Sequence, residues 1–293
     1  MFDRTTLINW LLLMSLVLLW GTSFMFVSIS VESLHPLTTV FYRVFIGALI
    51  LTAVAYAKEL KLPLSISAWL SFIVMGAVGY VLPFFLISWG QLSVNSGIAG
   101  MIMATMPLIT MILAHYLVDG EDLNRYKVLG FTFGIGGIGV LLGPIFEGGG
   151  QAIYGGIAIF IAASSYAVNT ILVRRLPKLN PFISTSGVLI SATIIVFPIW
   201  LFVVPTNNTE VSTLILGSTI WLGIGPTAIA TLMLFAVINR AGPTFLSTIN
   251  YMIPVVAFFT GAYVLSEPVE SSSIVALVII LSGIALTRFR INQ

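Results

Sequence analysis

The residues able to do chemistry in this chain are few, and their types exclude more than they allow. Without cysteine there is no thiolate nucleophile, no redox pair and no thiolate metal site, and His35 and His115 are too few for a histidine metal cage. His115 reads as a structural residue, and no cofactor or metal is expected. What remains is a set of neutral polar and aromatic side chains set inside long apolar runs: Trp20 with Thr22 and Ser23, Tyr80, Ser164 and Ser165 with Tyr166, Asn169, Thr227, and Asn250 with Tyr251. One arginine, Arg43, joins them. Groups of this kind bind and orient a small molecule; none of them is paired with a base that would activate a bond.

The elements that must position these residues follow from composition. Of 293 residues, 58% are hydrophobic and 8% charged, and the mean hydropathy is +1.10. A soluble domain carries roughly 25% charged residues, so most of this surface must face lipid. A bilayer core about 30 Å thick takes about 20 apolar residues per helix. Dividing the chain at its clusters of charge, Pro and Asn gives ten such segments: 8–31, 36–57, 66–90, 97–118, 126–143, 152–173, 181–204, 211–239, 243–265 and 271–289. The runs are continuously apolar and do not alternate with period two, which argues against a membrane β-barrel. The first segment exceeds the apolar core of a cleavable signal peptide and reads as retained.

The charges are sorted by loop. Arg4, Lys58, Lys61, Arg125, Lys127, Arg174, Arg175, Lys178, Arg240, Arg288 and Arg290 all fall on the side of the N-terminus, which is every basic residue except Arg43. By the positive-inside rule this predicts a multi-pass protein of the cell inner membrane with both termini cytoplasmic. A net charge of +2 gives no reason to expect a nucleic-acid partner. The expected partners are the lipid bilayer and a small-molecule substrate.

Gly148-Gly149-Gly150 marks the midpoint, and the two halves match weakly but in order. Trp20-Gly21 corresponds to Tyr166-Ala167, Pro36 to Pro181, Gly76 and Gly79 to Gly223 and Pro226, and Pro107 with Tyr116 to Pro254 with Tyr263. Glu121 then corresponds to Glu267, and Gly137-Ile138 to Gly283-Ile284. Each half holds an odd number of spans, so the second enters the membrane inverted. The reading is an all-α membrane protein of ten transmembrane helices built as two inverted five-helix repeats, residues 1–147 and 151–293, forming one membrane domain.

The run Trp20-Gly21-Thr22-Ser23-Phe24, Pro36 followed by Tyr42-Arg43-Val44-Phe45, Pro107 with Glu121, and the Gly130 to Gly139 stretch resemble the EamA-type ten-helix branch of the drug/metabolite transporter superfamily. Ser165-Tyr166-Ala167, Arg174-Arg175, Pro254, Glu267 and Gly283-Ile284 echo the pattern, so the resemblance covers essentially the whole chain. Tyr166 stands where the family often has Trp, and Asp119-Gly120-Glu121 carries an extra residue. The resemblance implies a transporter similar to bacterial exporters of amino acids and related metabolites, including the aromatic amino acid exporters.

On physical grounds, buried polar groups in lipid must face a partner or a cavity. Trp20, Ser23, Tyr80, Tyr166, Asn169, Thr227, Asn250 and Tyr251 are therefore the candidate substrate contacts. Pro83, Pro107, Pro226 and Pro254 are the candidate hinges, since each removes a backbone hydrogen bond deep in a helix. Met101 and Met103 offer adaptable apolar walls or lipid contact. Arg43 lies about 10 Å below the outer end of its helix. It either meets a substrate carboxylate or snorkels outward to pair with Glu32, and the resemblance, which places Arg here across varied substrates, weighs toward the structural role.

No Asp or Glu falls at a midplane position, so proton antiport lacks its usual carboxylate and facilitated or weakly coupled export by alternating access is expected. The same absence disfavours the alternative of a multidrug-type exporter of organic cations; an importer is the other alternative. An intramembrane enzyme or a receptor is the rival class, but no histidine is placed to activate a serine and a receptor needs no inverted duplication. Gly134-Ile135-Gly136-Gly137-Ile138-Gly139 fits a dinucleotide-binding pattern without a preceding strand. Gly130, Gly134, Gly139 and Gly143 read instead as helix-packing positions. Asn207-Asn208-Thr209 matches a glycosylation sequon in an outer loop.

Overall fold

The computed structural model describes residues 4–121, 123–147, 150–175, 179–205 and 211–287. Gly148 and Gly149, the sequon at 207–209, Glu210, Lys178, Arg288 and Arg290 lie outside them. The described residues form ten helical rods: α1 (Thr5–Val31), α2 (Pro36–Ala57), α3 (Ile66–Gly90), α4 (Ser96–Leu117), α5 (Arg125–Glu147), α6 (Gly150–Arg175), α7 (Pro181–Val203), α8 (Thr213–Pro243), α9 (Ile249–Val264) and α10 (Ser271–Leu286). Seven are long and apolar enough to cross a bilayer, and α9 and α10 are shorter apolar helices of 16 residues. Helix starts follow local chemistry. Pro36 and Pro181 open α2 and α7, and the side chains of Ser65, Asn180 and Ser212 accept from backbone N–H groups at the starts of α3, α7 and α8. Gly242, at φ 82, turns the chain between α8 and α9.

The two repeats interlock. α5 packs on α10, α2 on α7 and α4 on α9; α3 packs on α6 as α1 does on α8, α2 on α8 as α3 does on α7, and α4 on α6 as α1 does on α9. Each contact maps onto itself or onto another under the inversion. The geometry repeats in detail. Gly223 lies under Ile46 and the Arg43 carbonyl of α2, and Gly76 under the Val188 carbonyl and the Ala192 amide of α7. These quasi-equivalent close approaches leave no room for a side chain.

Two ends can be told apart. Arg240 Nε donates to Asn9 Oδ1 at 3.1 Å, and Lys58 Nζ lies 5.3 Å from the Phe182 ring centre, so the basic ends of α1, α8, α2 and α7 meet. At the opposite end, Trp200 Nε1 donates to Thr38 Oγ1 and Thr219 Oγ1 to Ser30 Oγ. Tyr116 and Tyr263, quasi-equivalent, are largely exposed, as aromatic residues at a membrane interface are.

Small-residue packing in α5 is narrower than its glycine run suggests. Gly130 and Gly137 abut α10, Gly283 abuts Gly130 in turn, and Gly134 meets Leu108 of α4. Gly139 and Gly143 meet nothing within 4 Å, because they lie off the contact stripe. Met101 is fully buried in the helix core and faces neither lipid nor a cavity. A methyl group at Gly283 would stand 2.6 Å from the Gly130 carbonyl oxygen and 2.8 Å from the Gly134 nitrogen, both backbone atoms. Gly283→Ala is therefore expected to destabilise the protein by about 1–3 kcal/mol, seen as a lowered thermal midpoint in detergent. Gly139→Ala should leave the midpoint unchanged.

Candidate functional site

The site begins where helices break. In α3, residues Ala77–Val81 form a π-helical turn ahead of Pro83, and in α8 residues Gly223–Ile229 do so around Pro226. Proline has no N–H to donate, and across the π-turn, with its i→i+5 pattern, the Leu222 carbonyl faces residue 227. Thr227 Oγ1 donates to that oxygen at 2.8 Å. In turn Thr227 Oγ1 accepts from Arg43 Nε at 3.1 Å. The carbonyl of Pro226 accepts from Trp20 Nε1 at 3.0 Å, across from α1. In the other repeat the Val78 carbonyl of the α3 turn accepts from Ser165 Oγ of α6 at 2.6 Å. Both breaks are thus satisfied by the opposite repeat.

Around this framework aromatic rings close in. The Arg43 guanidinium lies over Phe84, 3.8 Å from the ring centre. Phe84 meets Tyr80 and Tyr166 edge-on at 5.6 and 6.5 Å between centres. Arg43 is 8% exposed and does not reach Glu32, which stands exposed at the end of α1. Among the described residues no carboxylate pairs with it, so the snorkelling arrangement is not the one adopted. The Thr227 hydroxyl and the Phe84 face hold the side chain inward instead. Asn169, one turn from Tyr166, packs its amide against Gly79, and its Oδ1 is buried without a partner.

A separate cavity of about 320 Å³ opens toward the basic end, lined by Met106, Thr110, Thr170, Asn250, Lys127 and Thr287 among others, including Pro107 and Glu121. Its volume sits at the lower end of the range of small-molecule sites, roughly 300–1,000 Å³. The Thr110, Thr170 and Thr287 hydroxyls donate to carbonyls of their own helices, which turns their oxygens into acceptors. Pro254, inside α9, frees the Asn250 carbonyl, whereas Pro107 opens the second segment of α4 after its break. At the opposite end the corresponding space shrinks to a crevice of about 10 Å³ beside Phe258, Gly97 and Glu267. There the Glu267 carboxylate accepts from Ser96 N at 2.7 Å and Gly97 N at 3.0 Å. It caps the N-terminus of α4, a favourable place for a negative charge.

The sequence-derived residues therefore separate into groups. Trp20, Arg43, Tyr80, Tyr166 and Thr227 come together in one cluster with Pro83 and Pro226, with Asn169 beside it. Asn250 and Pro107 belong to the cavity, and Tyr251 lies near it with its hydroxyl on the Ile284 carbonyl at 3.1 Å. Ser23 donates to the Trp20 carbonyl at 2.6 Å and serves the break of α1 at Thr22. Three of the proline positions coincide with helix breaks, whereas α9 continues through Pro254. His115 Nδ1 lies 3.0 Å from the Glu121 carbonyl oxygen in the turn after α4. Phe84, Thr110 and Thr170 were not singled out from the sequence. Thr170 follows Tyr166 by four residues and so shares its helix face, a signal that could have found it.

Thr227→Val keeps the shape but leaves Arg43 Nε without its acceptor and removes the side-chain bond to the Leu222 carbonyl. It should cost about 1–3 kcal/mol of stability, read as a fall in thermal midpoint larger than that of Ser71→Ala, whose exposed hydroxyl bonds only its own helix.

Against known proteins, the EamA-like transporter family matches residues 7–143 and again 153–289. The chain is 23% identical over 288 residues to the uncharacterized transporter YoaV of Bacillus subtilis, covering 96% of this chain and 97% of YoaV. It is 25% identical over 290 residues to protein PagO of Salmonella typhimurium, covering 94% of this chain and 91% of PagO. A solved crystal structure, 21% identical, superposes with a TM-score of 0.69 over 95% of each chain, which supports the fold. With two matched repeats, an interlocked inverted architecture and a polar site at the helix breaks, this chain belongs to the EamA-like transporter family of the drug/metabolite transporter superfamily and is a multi-pass membrane transporter.

Proposed function

We propose that the protein exports small amphipathic metabolites, amino acids foremost and aromatic ones among them, from the cytoplasm across the cell inner membrane. The observation that carries this is the cavity of about 320 Å³ at the basic end, with its Thr and Asn acceptors and Met walls. By the positive-inside rule that end is cytoplasmic, so the cavity is a loading mouth. The Thr oxygens suit an ammonium, the Asn250 amide N–H groups suit a carboxylate, and Met106 and Met111 suit an apolar side chain of variable shape. Beyond it lie the rings of Tyr166, Tyr80 and Phe84.

Transport follows by alternating access. The mouth at the basic end closes as the seam between α4 and α9 at the opposite end opens, with the π-turns of α3 and α8 taking up the bending. Glu32, Glu59, Asp119, Glu267 and Glu270 sit at helix ends or in connections, and Glu121 lines the cavity at its basic end together with Lys127, away from the helix breaks. Export is then facilitated or weakly coupled.

Cells expressing the protein and loaded with amino acid dipeptides should release at least one hydrophobic amino acid several-fold faster than cells without it. In proteoliposomes counterflow of that amino acid should proceed with no pH gradient. Release at the control rate for every amino acid would remove the substrate assignment, and a strict requirement for the gradient would remove the coupling assignment.

A further inference from the structure

We propose that Arg43 is the anchor for a carboxylate on the transported molecule, a second binding station deeper in the membrane than the open cavity. The inference rests on the transport reading above and names the charge its substrate must carry.

A guanidinium presents five N–H donors. In this structure Nε is committed to Thr227, and one face is covered by Phe84. The two terminal amino groups make no hydrogen bond within the protein, and neither is sealed from accessible surface, since no Arg43 nitrogen is among the buried unpartnered atoms. The phenol rings of Tyr80 and Tyr166 flank the same Phe84 ring that lies under the guanidinium. A cation held in the membrane interior without a counter-ion is costly. Here Thr227 and Phe84 fix its position while its two terminal amino groups keep donors that the protein does not use, and a carboxylate is the partner that can take both through parallel hydrogen bonds.

The backbone packing at this position does not call for an arginine. Position 43 corresponds to Val188 in the inverted copy, and each packs its backbone carbonyl over a glycine of the partner repeat, Gly223 and Gly76 respectively. Val188 performs the packing with an apolar, 2% exposed side chain. What Arg43 adds is charge on one side of a pseudo-symmetric pair. The station also lies on the route inward. Tyr166, beside Arg43, is four residues from Thr170 of the cavity wall, about 6 Å along one face of α6.

The test uses the full-length purified protein and equilibrium binding of three radiolabelled probes: L-phenylalanine, 3-phenylpropanoate, which lacks the amine, and L-phenylalaninamide, which lacks the carboxylate. The wild-type protein should bind the two carboxylates at least about tenfold more tightly than the amide, as the loss of a charge-assisted pair predicts. Arg43→Gln should abolish that preference while binding the amide at the wild-type level. Unchanged carboxylate binding in R43Q overturns the proposal. So does a wild-type protein that holds the amide as tightly as the acids, a comparison that stands even where R43Q fails to fold. If 3-phenylpropanoate binds through Arg43 and phenylalanine does not, the anion station stands and the amino acid assignment falls; if phenylalanine binds regardless of Arg43, the reverse holds.

Discussion

In hydrocarbon a backbone carbonyl without a partner has no water to turn to, and the architecture of this transporter depends on how it meets that constraint. Two helices, α3 and α8, are broken at mid-length by π-turns and prolines. Each break exposes backbone oxygens where lipid tolerates none. The Val78 carbonyl is met by Ser165 and the Pro226 carbonyl by Trp20, both from the opposite repeat, while Thr227 turns back to the Leu222 carbonyl. The breaks can exist only while the repeats are interlocked, and the interlock brings the polar side chains of α1, α2, α6 and α8 to one place. The site is a consequence of satisfying the backbone.

The same constraint explains why the breaks serve movement. A π-turn carries one residue more than the surrounding helix, and its hydrogen bonds can be exchanged for neighbouring ones without leaving the helix. The glycines beside the breaks, Gly76 and Gly223, let backbones of α7 and α2 approach closely. α3 and α8 are thereby packed against rods that hold them at the turn and leave their ends free to tilt. Glu267, capping α4 from the connection that follows α9, ties the two helices where the structure is closed.

Much of this was legible in the sequence, for reasons that can be named. Length and hydropathy give the ten spans because the bilayer thickness fixes what a helix must be. The inverted duplication is visible because Pro36 and Pro181, Gly76 and Gly223, and Pro107 and Pro254 do the same backbone work in both copies. The aromatic and polar candidates of the central cluster were readable because an isolated polar group in a span needs a partner. What the sequence withheld was who that partner is. Arg43 could be assigned to Glu32 or to the interior, and the choice turns on Thr227, which lies 184 positions away and which only the inverted packing of α8 against α2 delivers. Phe84 went unnoticed for a similar reason: a phenylalanine in a membrane helix carries no signal until a cation is seen above its ring. The glycine ladder of α5 was over-read because spacing alone cannot say which side of a helix meets a neighbour, and Gly139 and Gly143 lie off that side.

An inverted repeat by itself gives a device with two equivalent conformations and no preference between molecules. Preference has to come from positions where the copies differ. In this chain those positions gather at the breaks: Arg43 against Val188, Thr227 against Tyr80, Trp20 against Tyr166. The backbone roles at these sites are symmetric, as the glycine contacts under residues 43 and 188 show, whereas the side chains are not. Symmetric backbone supplies the two states between which the transporter moves. The unmatched side chains, one charge and a set of rings of different polarity, give the two states different surfaces to present to a ligand. Only an interaction that differs between states can bias a transporter's cycle, and in this fold such an interaction has its natural seat where the two halves of the sequence stop agreeing.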